Sequence, residues 1–302
     1  MVDIKEIKSI EIVPYTLMTS SVSAVWAFIY AIFTLILGLV PFVISPTPAN
    51  SAALWFYIAS IVSSPVTSFI LGVLQSFLFA LIYNLLVPKL GGIKLGLEDL
   101  SEIKSVPVVP FALITSTISA VFVLIITLIV MPLVAAYIPV ISQVMNSLPL
   151  NGTTIPAESI SAFGTFGVIG SILSIIILPI VAFIIVFIIN AILAVLYNLV
   201  APRVGGIKLE FAANADNMYE ILSVAPIQLA LISAIIAAIC GIIIGIIAII
   251  ISAAYGVAIV GVMFLAGFTI GFLVSVFIVY AIMALIYNFL RPKIGGIRLE
   301  LQ

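Results

Sequence analysis

The sequence predicts an all-α integral membrane protein of six transmembrane helices, arranged as three two-helix repeats around a pseudo-threefold axis, with short cytoplasmic β-strands at the repeat junctions. Three observations carry this. Of 302 residues, 65% are hydrophobic and only 7% charged, against roughly 25% charged in a soluble domain. No charged residue occurs over 12–88, 105–157, 159–202 or 221–290, and about 20 apolar residues suffice to cross a bilayer. The pattern Y-N-x-x-x-P-[KR]-[LVI]-G-G-I-[KR]-L occurs at Tyr83–Leu95, Tyr197–Leu209 and Tyr287–Leu299, which is the self-similarity of a repeat architecture.

The first copy, 1–100, carries Lys5 and Lys8 ahead of an apolar run far longer than the roughly 7–15 residues of a secretory signal. That run reads as a retained helix near 15–42, followed by a second near 54–87. The second copy, 101–216, predicts helices near 111–137 and 164–200, and the third, 217–302, helices near 227–252 and 257–290. Gapless extension backward from the tyrosines aligns Ala80, Ala194 and Ala284 and sets Pro65 on Pro179, with Thr269 at that place in the third copy. A proline there predicts a kink that neighbouring helices accommodate. At the start of each copy, Ile7-Lys8-Ser9-Ile10 leads to Pro14 as Ile103-Lys104-Ser105-Val106 leads to Pro110. Ile221-Leu222-Ser223-Val224 aligns in the third copy, with the lysine gone and Gln228 in place of the proline.

Within the repeated motif, Tyr83, Tyr197 and Tyr287 suit the headgroup boundary. Asn84, Asn198 and Asn288 are placed to cap the last turn, and Pro88, Pro202 and Pro292 to stop the helix. The backbone then turns at Gly91-Gly92, Gly205-Gly206 and Gly295-Gly296. The segment after each turn, such as Ile93-Lys94-Leu95-Gly96-Leu97, alternates with the period of a strand. Ile7–Val13 and Ile103–Val109 also read as extended, and the short Glu98–Glu102 connection predicts a β-hairpin. All ten Lys and Arg lie before the first span, after the last, or between copies. The positive-inside rule therefore puts both termini and the junctions in the cytoplasm, with loops near 43–53, 138–163 and 253–256 outside.

Composition also excludes functions. Net charge is −1 and histidine is absent, so no basic field attracts nucleic acid and no side chain normally titrates near neutral pH. Cys240, the single cysteine, packs as a small hydrophobe. Charged groups within spans mark ion-coupled transport, and none is predicted here. A transition-metal centre lacks ligands, and a membrane Ser or Thr lacks a His or Lys base. Neither enzyme activity nor a cofactor is expected.

The remaining polar residues recur in sets. Thr19, Ser20, Ser21 and Ser23 reappear as Thr115, Ser116, Thr117 and Ser119, and Ser76, Asn190 and Tyr280 each stand seven residues before a motif tyrosine. Hydrogen bonding between packed helices explains them, and a polar lining formed by Ser20, Ser76, Ser116, Asn190 and Tyr280 is the sharper reading. Gly241-x-x-x-Gly245 and Gly267-x-x-x-Gly271 predict close contact between helices five and six. Asn151-Gly152-Thr153 fits the glycosylation sequon. The basic residues Lys89/Lys94, Arg203/Lys208 and Arg291/Lys293/Arg298 fix orientation, or bind anionic lipid or a cytoplasmic protein.

With Pro14-Tyr15 and Pro110-Phe111 at the start, and Tyr-Asn, six residues, Gly-Gly and an alternating strand at the end, each copy resembles a prokaryotic transmembrane domain of unknown function. That domain is best represented in actinobacteria and usually occurs once per chain. The resemblance implies a membrane location and a repeated fold, and brings no catalytic residues. The expectation is a noncatalytic scaffold or accessory subunit of the plasma membrane, whose partners are membrane lipids and a cytoplasmic or membrane protein. The alternative is a passive channel or carrier for a small neutral solute.

Overall fold

The computed structural model describes residues 2–147, 157–214 and 217–302. In chain order the elements are β1 (Val2–Ile10), α1 (Ile12–Ile44), α2 (Pro48–Leu90), β2 (Lys94–Glu98), β3 (Glu102–Ser105), α3 (Val108–Ser147), α4 (Ala157–Val204), β4 (Ile207–Ala213), β5 (Met218–Val224), α5 (Pro226–Ala254), α6 (Ala258–Ile294) and β6 (Arg298–Leu301). Six helices among the described residues are long and apolar enough to cross a membrane, and only 6–28% of their most apolar windows is buried. Apolar side chains facing outward over that length require lipid rather than water.

The helices extend beyond their expected bounds, α6 only at its C-terminal end. α2 begins at Pro48 because Thr47 Oγ1 accepts the Asn50 N–H at 3.2 Å, with proline in the first turn. Residues 45–47 alone then separate α1 from α2. Pro88, Pro202 and Pro292 do not stop their helices, which continue to Leu90, Val204 and Ile294. A proline this close to a helix end leaves only the last two residues to be carried past it. The stop comes instead at Gly91 and Gly295, whose φ of 80° and 82° end the helices in a left-handed residue. α3 reaches Ser147 and α4 starts at Ala157, so the sequon at Asn151 lies outside the described residues.

The chain divides into two compact units, Met1–Phe111 with Ile192–Gln302, and Ala112–Ala191. The first contains every strand. These form a closed antiparallel barrel in the order β1-β2-β3-β4-β5-β6, which returns to β1. Register is set by Lys5 opposite Leu95, Ile103 opposite Ile207, Glu220 opposite Arg298, and Ile7 opposite Leu301. The Glu98–Glu102 connection is the expected hairpin, turning through Asp99 and Leu100 at φ of 50° and 52°. Closure leaves no free sheet edge. The large buried strand side chains are apolar: Ile7, Ile10, Leu97, Ile103, Leu299 and Leu301. In the same unit Met18 and Val22 of α1 pack on Ile286 and Tyr287 of α6, with Trp26 against the cluster.

In the second unit, α3 and α4 approach where Gly167 faces Ile138. Asn190 Nδ2 donates to Thr115 Oγ1 at 2.9 Å.

Candidate functional site

The repeated motif builds one arrangement three times, where helix ends meet the barrel. Tyr83 donates its hydroxyl to the Ile7 carbonyl at 2.7 Å and accepts the Ile93 N–H at 2.9 Å. Tyr197 bonds Ile103 and Ile207 in the same way. Tyr287 does so with Ile221 at 2.8 Å and Ile297 at 3.1 Å. Asn84 accepts the Ile10 N–H at 2.9 Å and returns a donor to the Ile10 carbonyl at 2.8 Å. Asn198 treats Val106 likewise, and Asn288 treats Val224 likewise. The asparagines therefore do not cap their own helices. A carboxamide carries one acceptor and one donor face, and both are taken by the peptide groups of a single residue on another segment.

The two glycines serve different needs. Gly91, Gly205 and Gly295 hold φ of 80°, 92° and 82°. The second glycine lies against the leading strand, where a Cβ on Gly92, Gly206 or Gly296 would stand 2.0, 1.9 or 2.3 Å from the carbonyl oxygen of Ile7, Ile103 or Ile221.

A glutamate outside the repeated pattern completes each clasp. The N–H of Gly92 donates to Glu6 Oε1 at 2.7 Å, that of Gly206 to Glu102 at 2.6 Å, and that of Gly296 to Glu220 at 3.0 Å. Its signal in the sequence is positional, since a glutamate directly precedes the aligned isoleucine in all three copies. The three side chains are only 16%, 13% and 15% exposed. The Gly92 N–H, with Lys8 and Lys94, holds the Glu6 carboxyl below its ordinary value against partial burial. Burial pushes Glu102 upward, but the Lys104 ammonium, the Gly206 N–H and the Lys208 charge outweigh it and the carboxyl is lowered. Burial likewise works against Glu220, and the Gly296 N–H with Arg291 and Arg298 prevails.

Each glutamate has a cation beside it: Lys8 at 3.0 Å, Lys104 at 2.9 Å and Arg291 at 3.1 Å. Where the third copy has Leu222 instead of the lysine, Arg291 supplies the charge from a position held by Val87 and Ala201 in the other copies. Lys89, Arg203 and Lys293 behave differently. All three are exposed, and among the described residues none has a carboxylate within ion-pair distance. Arg203 donates to the Leu199 carbonyl at 2.8 Å, and Lys293 Nζ lies 3.5 Å above the Phe289 ring. Lys94 and Lys208 lie on the strands, and Arg298 pairs with Glu11 at 3.4 Å.

The intramembrane polar residues sit higher on the helices. Ser20 and Ser116 are fully buried and bond the carbonyls of Thr16 and Leu113 in their own helices at 2.6 and 3.0 Å. Ser76 donates to the Gly72 carbonyl, and Tyr280 is 41% exposed. Ser76 and Tyr280 stand in the walls of different cavities. Gly241 and Gly245 press against Phe268 and Leu265 of α6 as expected, but Gly267 and Gly271 face open space. Thr269, which does pack on Gly241, lies two residues from each, on the opposite side of the helix. Among the described residues no group of three or more His, Cys, Asp or Glu is placed to hold a metal ion.

The fold defines a multi-pass membrane protein of six apolar helices. Residues 99–213, which run from the β2–β3 turn through α3 and α4 to the end of β4, match a family described as a transmembrane domain of unknown function (DUF3566). No curated protein and no solved structure matches the chain.

Proposed function

We propose that the protein is a noncatalytic scaffold of the prokaryotic plasma membrane, whose basic rim binds anionic lipid headgroups and whose barrel presents a surface to a partner protein. In this reading the first and third copies are further copies of the domain matched at 99–213, since Tyr83, Asn84 and Gly92 make the same bonds as Tyr197, Asn198 and Gly206. The termini and the barrel lie in the cytoplasm, because every Lys and Arg is at that end.

One observation carries the lipid reading. Six residues after each motif tyrosine stands an exposed cation, Lys89, Arg203 or Lys293, with no carboxylate partner among the described residues, while the tyrosine, asparagine and glycines are all committed to holding the strands. A cation near an anionic leaflet contributes about 1 kcal/mol. The large buried side chains of the barrel strands are apolar, which favours the scaffold over a polar solute path through the barrel.

The test is lipid co-purification from mixed phosphatidylcholine and phosphatidylglycerol membranes, comparing the native chain with Lys89→Gln/Arg203→Gln/Lys293→Gln. Enrichment of phosphatidylglycerol that is lost in the triple variant, with unchanged thermal stability, is the expected result. Equal lipid ratios in the two proteins would refute the rim as a headgroup site.

A further inference from the structure

We propose that the crevice above the barrel is a binding site for an uncharged two-chain lipid of the diacylglycerol type, with its hydroxyl-bearing head held inside the membrane at Tyr280. Two cavities, of about 420 and 300 Å³, meet at this residue, which stands in the wall of both. Each lies within the roughly 300–1,000 Å³ range of ligand pockets. The first rises beside Phe111, Leu193 and Ile236, and the second lies between Met18 and Met283. Two apolar lobes joined at one polar point match two hydrocarbon chains joined at one head.

The polar point has groups to offer. Ser233 lines the first cavity and Thr19 and Ser23 the second. Thr19 and Ser23 also line a third, of about 360 Å³, together with Gln75 and Ser76. Thr19 and Ser23 donate to carbonyls of α1, which leaves their oxygens free to accept. The hydroxyls of Tyr280 and Ser233 and the Gln75 carboxamide make no hydrogen bond with any described residue. In the second copy the matching pair is closed, because Asn190 reaches Thr115 directly. In the third, Ser233 and Tyr280 border open space instead.

Depth decides the head chemistry. Tyr280 is seven residues before Tyr287, whose hydroxyl bonds the Ile221 carbonyl next to the barrel. At 1.5 Å per residue that places the point about 10 Å along the helix from the barrel, within the roughly 30 Å hydrocarbon core. No charged residue lines any of the three cavities. A phosphate there would be buried without a counter-charge, whereas a hydroxyl or ester needs only the hydrogen bonds the site provides.

The experiment uses the full chain in phosphatidylcholine vesicles doped with a diazirine-bearing diacylglycerol, or with phosphatidic acid of identical chains, followed by peptide mapping. Diacylglycerol is expected to label peptides of α5, α6 and α1 facing the crevice, and phosphatidic acid is not. Tyr280→Phe keeps the ring and removes one neutral hydrogen bond, so labelling should fall about two- to tenfold. Ala237→Phe, which fills the larger lobe, should abolish it. Equal labelling by the two lipids, or unchanged labelling in correctly folded Tyr280→Phe, overturns the proposal. Loss of the rim cations should leave diacylglycerol labelling intact.

Discussion

Replacing Gly206 by alanine tests whether the Gly-Gly pair is a structural necessity of the clasp. The added Cβ would stand 1.9 Å from the Ile103 carbonyl oxygen, where real contacts begin near 3.0 Å. Relief requires the leading strand and the helix end to separate by the difference, about 1.1 Å. The Gly206 N–H donates to Glu102 at 2.6 Å, and a shift of that size carries it beyond hydrogen-bond range. The Tyr197 bond to the same Ile103 carbonyl is strained with it. A charge-assisted bond contributes roughly 1.5–3 kcal/mol and a neutral one roughly 0.5–1.5 kcal/mol, so the loss is about 2–4.5 kcal/mol. The assay is sodium dodecyl sulfate titration in mixed micelles, followed by emission of Trp26, which packs against the α1/α6 core. Two companions calibrate it. Gly205→Ala places a side chain at φ 92° and should cost about 1–2 kcal/mol. Gly267→Ala meets open space on a helix and should be neutral or stabilising by up to about 1 kcal/mol. If Gly206→Ala behaves like Gly267→Ala, the close approach does not govern the junction and the account of the motif fails.

The glutamates yield two further expected outcomes. Arg291→Leu should destabilise the third copy by leaving Glu220 without its nearest cation, and Leu222→Lys in the same chain should recover most of the loss, since Lys8 and Lys104 occupy that place beside Glu6 and Glu102. The same titration reads both, and failure of the rescue would refute the exchange of charge between positions 222 and 291. Because Glu6, Glu102 and Glu220 are all lowered from 4.5 in the folded state, their contribution is complete above that value and is lost as pH falls through the folded values below it. Thermal stability in detergent should therefore hold from neutral pH to about 5 and fall steeply below 4.5, and Glu6→Gln/Glu102→Gln/Glu220→Gln should flatten that decline.

Much of this organisation is legible in the sequence, and the features that are not share a cause. Six spans and the threefold motif can be read from hydrophobic runs and spacing, because both are local. The role of the motif cannot, because its partners are remote. Tyr83 and Asn84 look like a boundary aromatic and a helix cap within their own turn, yet their hydrogen bonds go to Ile7 and Ile10, 76 and 74 positions earlier. The β2–β3 hairpin can be anticipated from its short connection, whereas closure of the barrel joins β1 to β6 across nearly the whole chain. Glu6, Glu102 and Glu220 escape notice because in each copy alone the glutamate is one of several acidic residues in a charged segment. Their common place before the aligned isoleucine is the only sign of a shared task.

The exchange of Leu222 for Arg291 then separates what the clasp requires from what merely recurs. The tyrosine, asparagine, second glycine and glutamate are identical in all three copies, and each makes the same bond. The cation beside the glutamate changes residue type and position, so the requirement there is for positive charge within about 3 Å of the carboxylate and not for a lysine on the strand. Lys89, Arg203 and Lys293 satisfy no such internal requirement, yet a basic residue recurs there without exception. The clasp does not use that charge, and the proposed lipid-binding rim assigns it to anionic headgroups at the helix ends, which the phosphatidylglycerol co-purification of the triple variant tests.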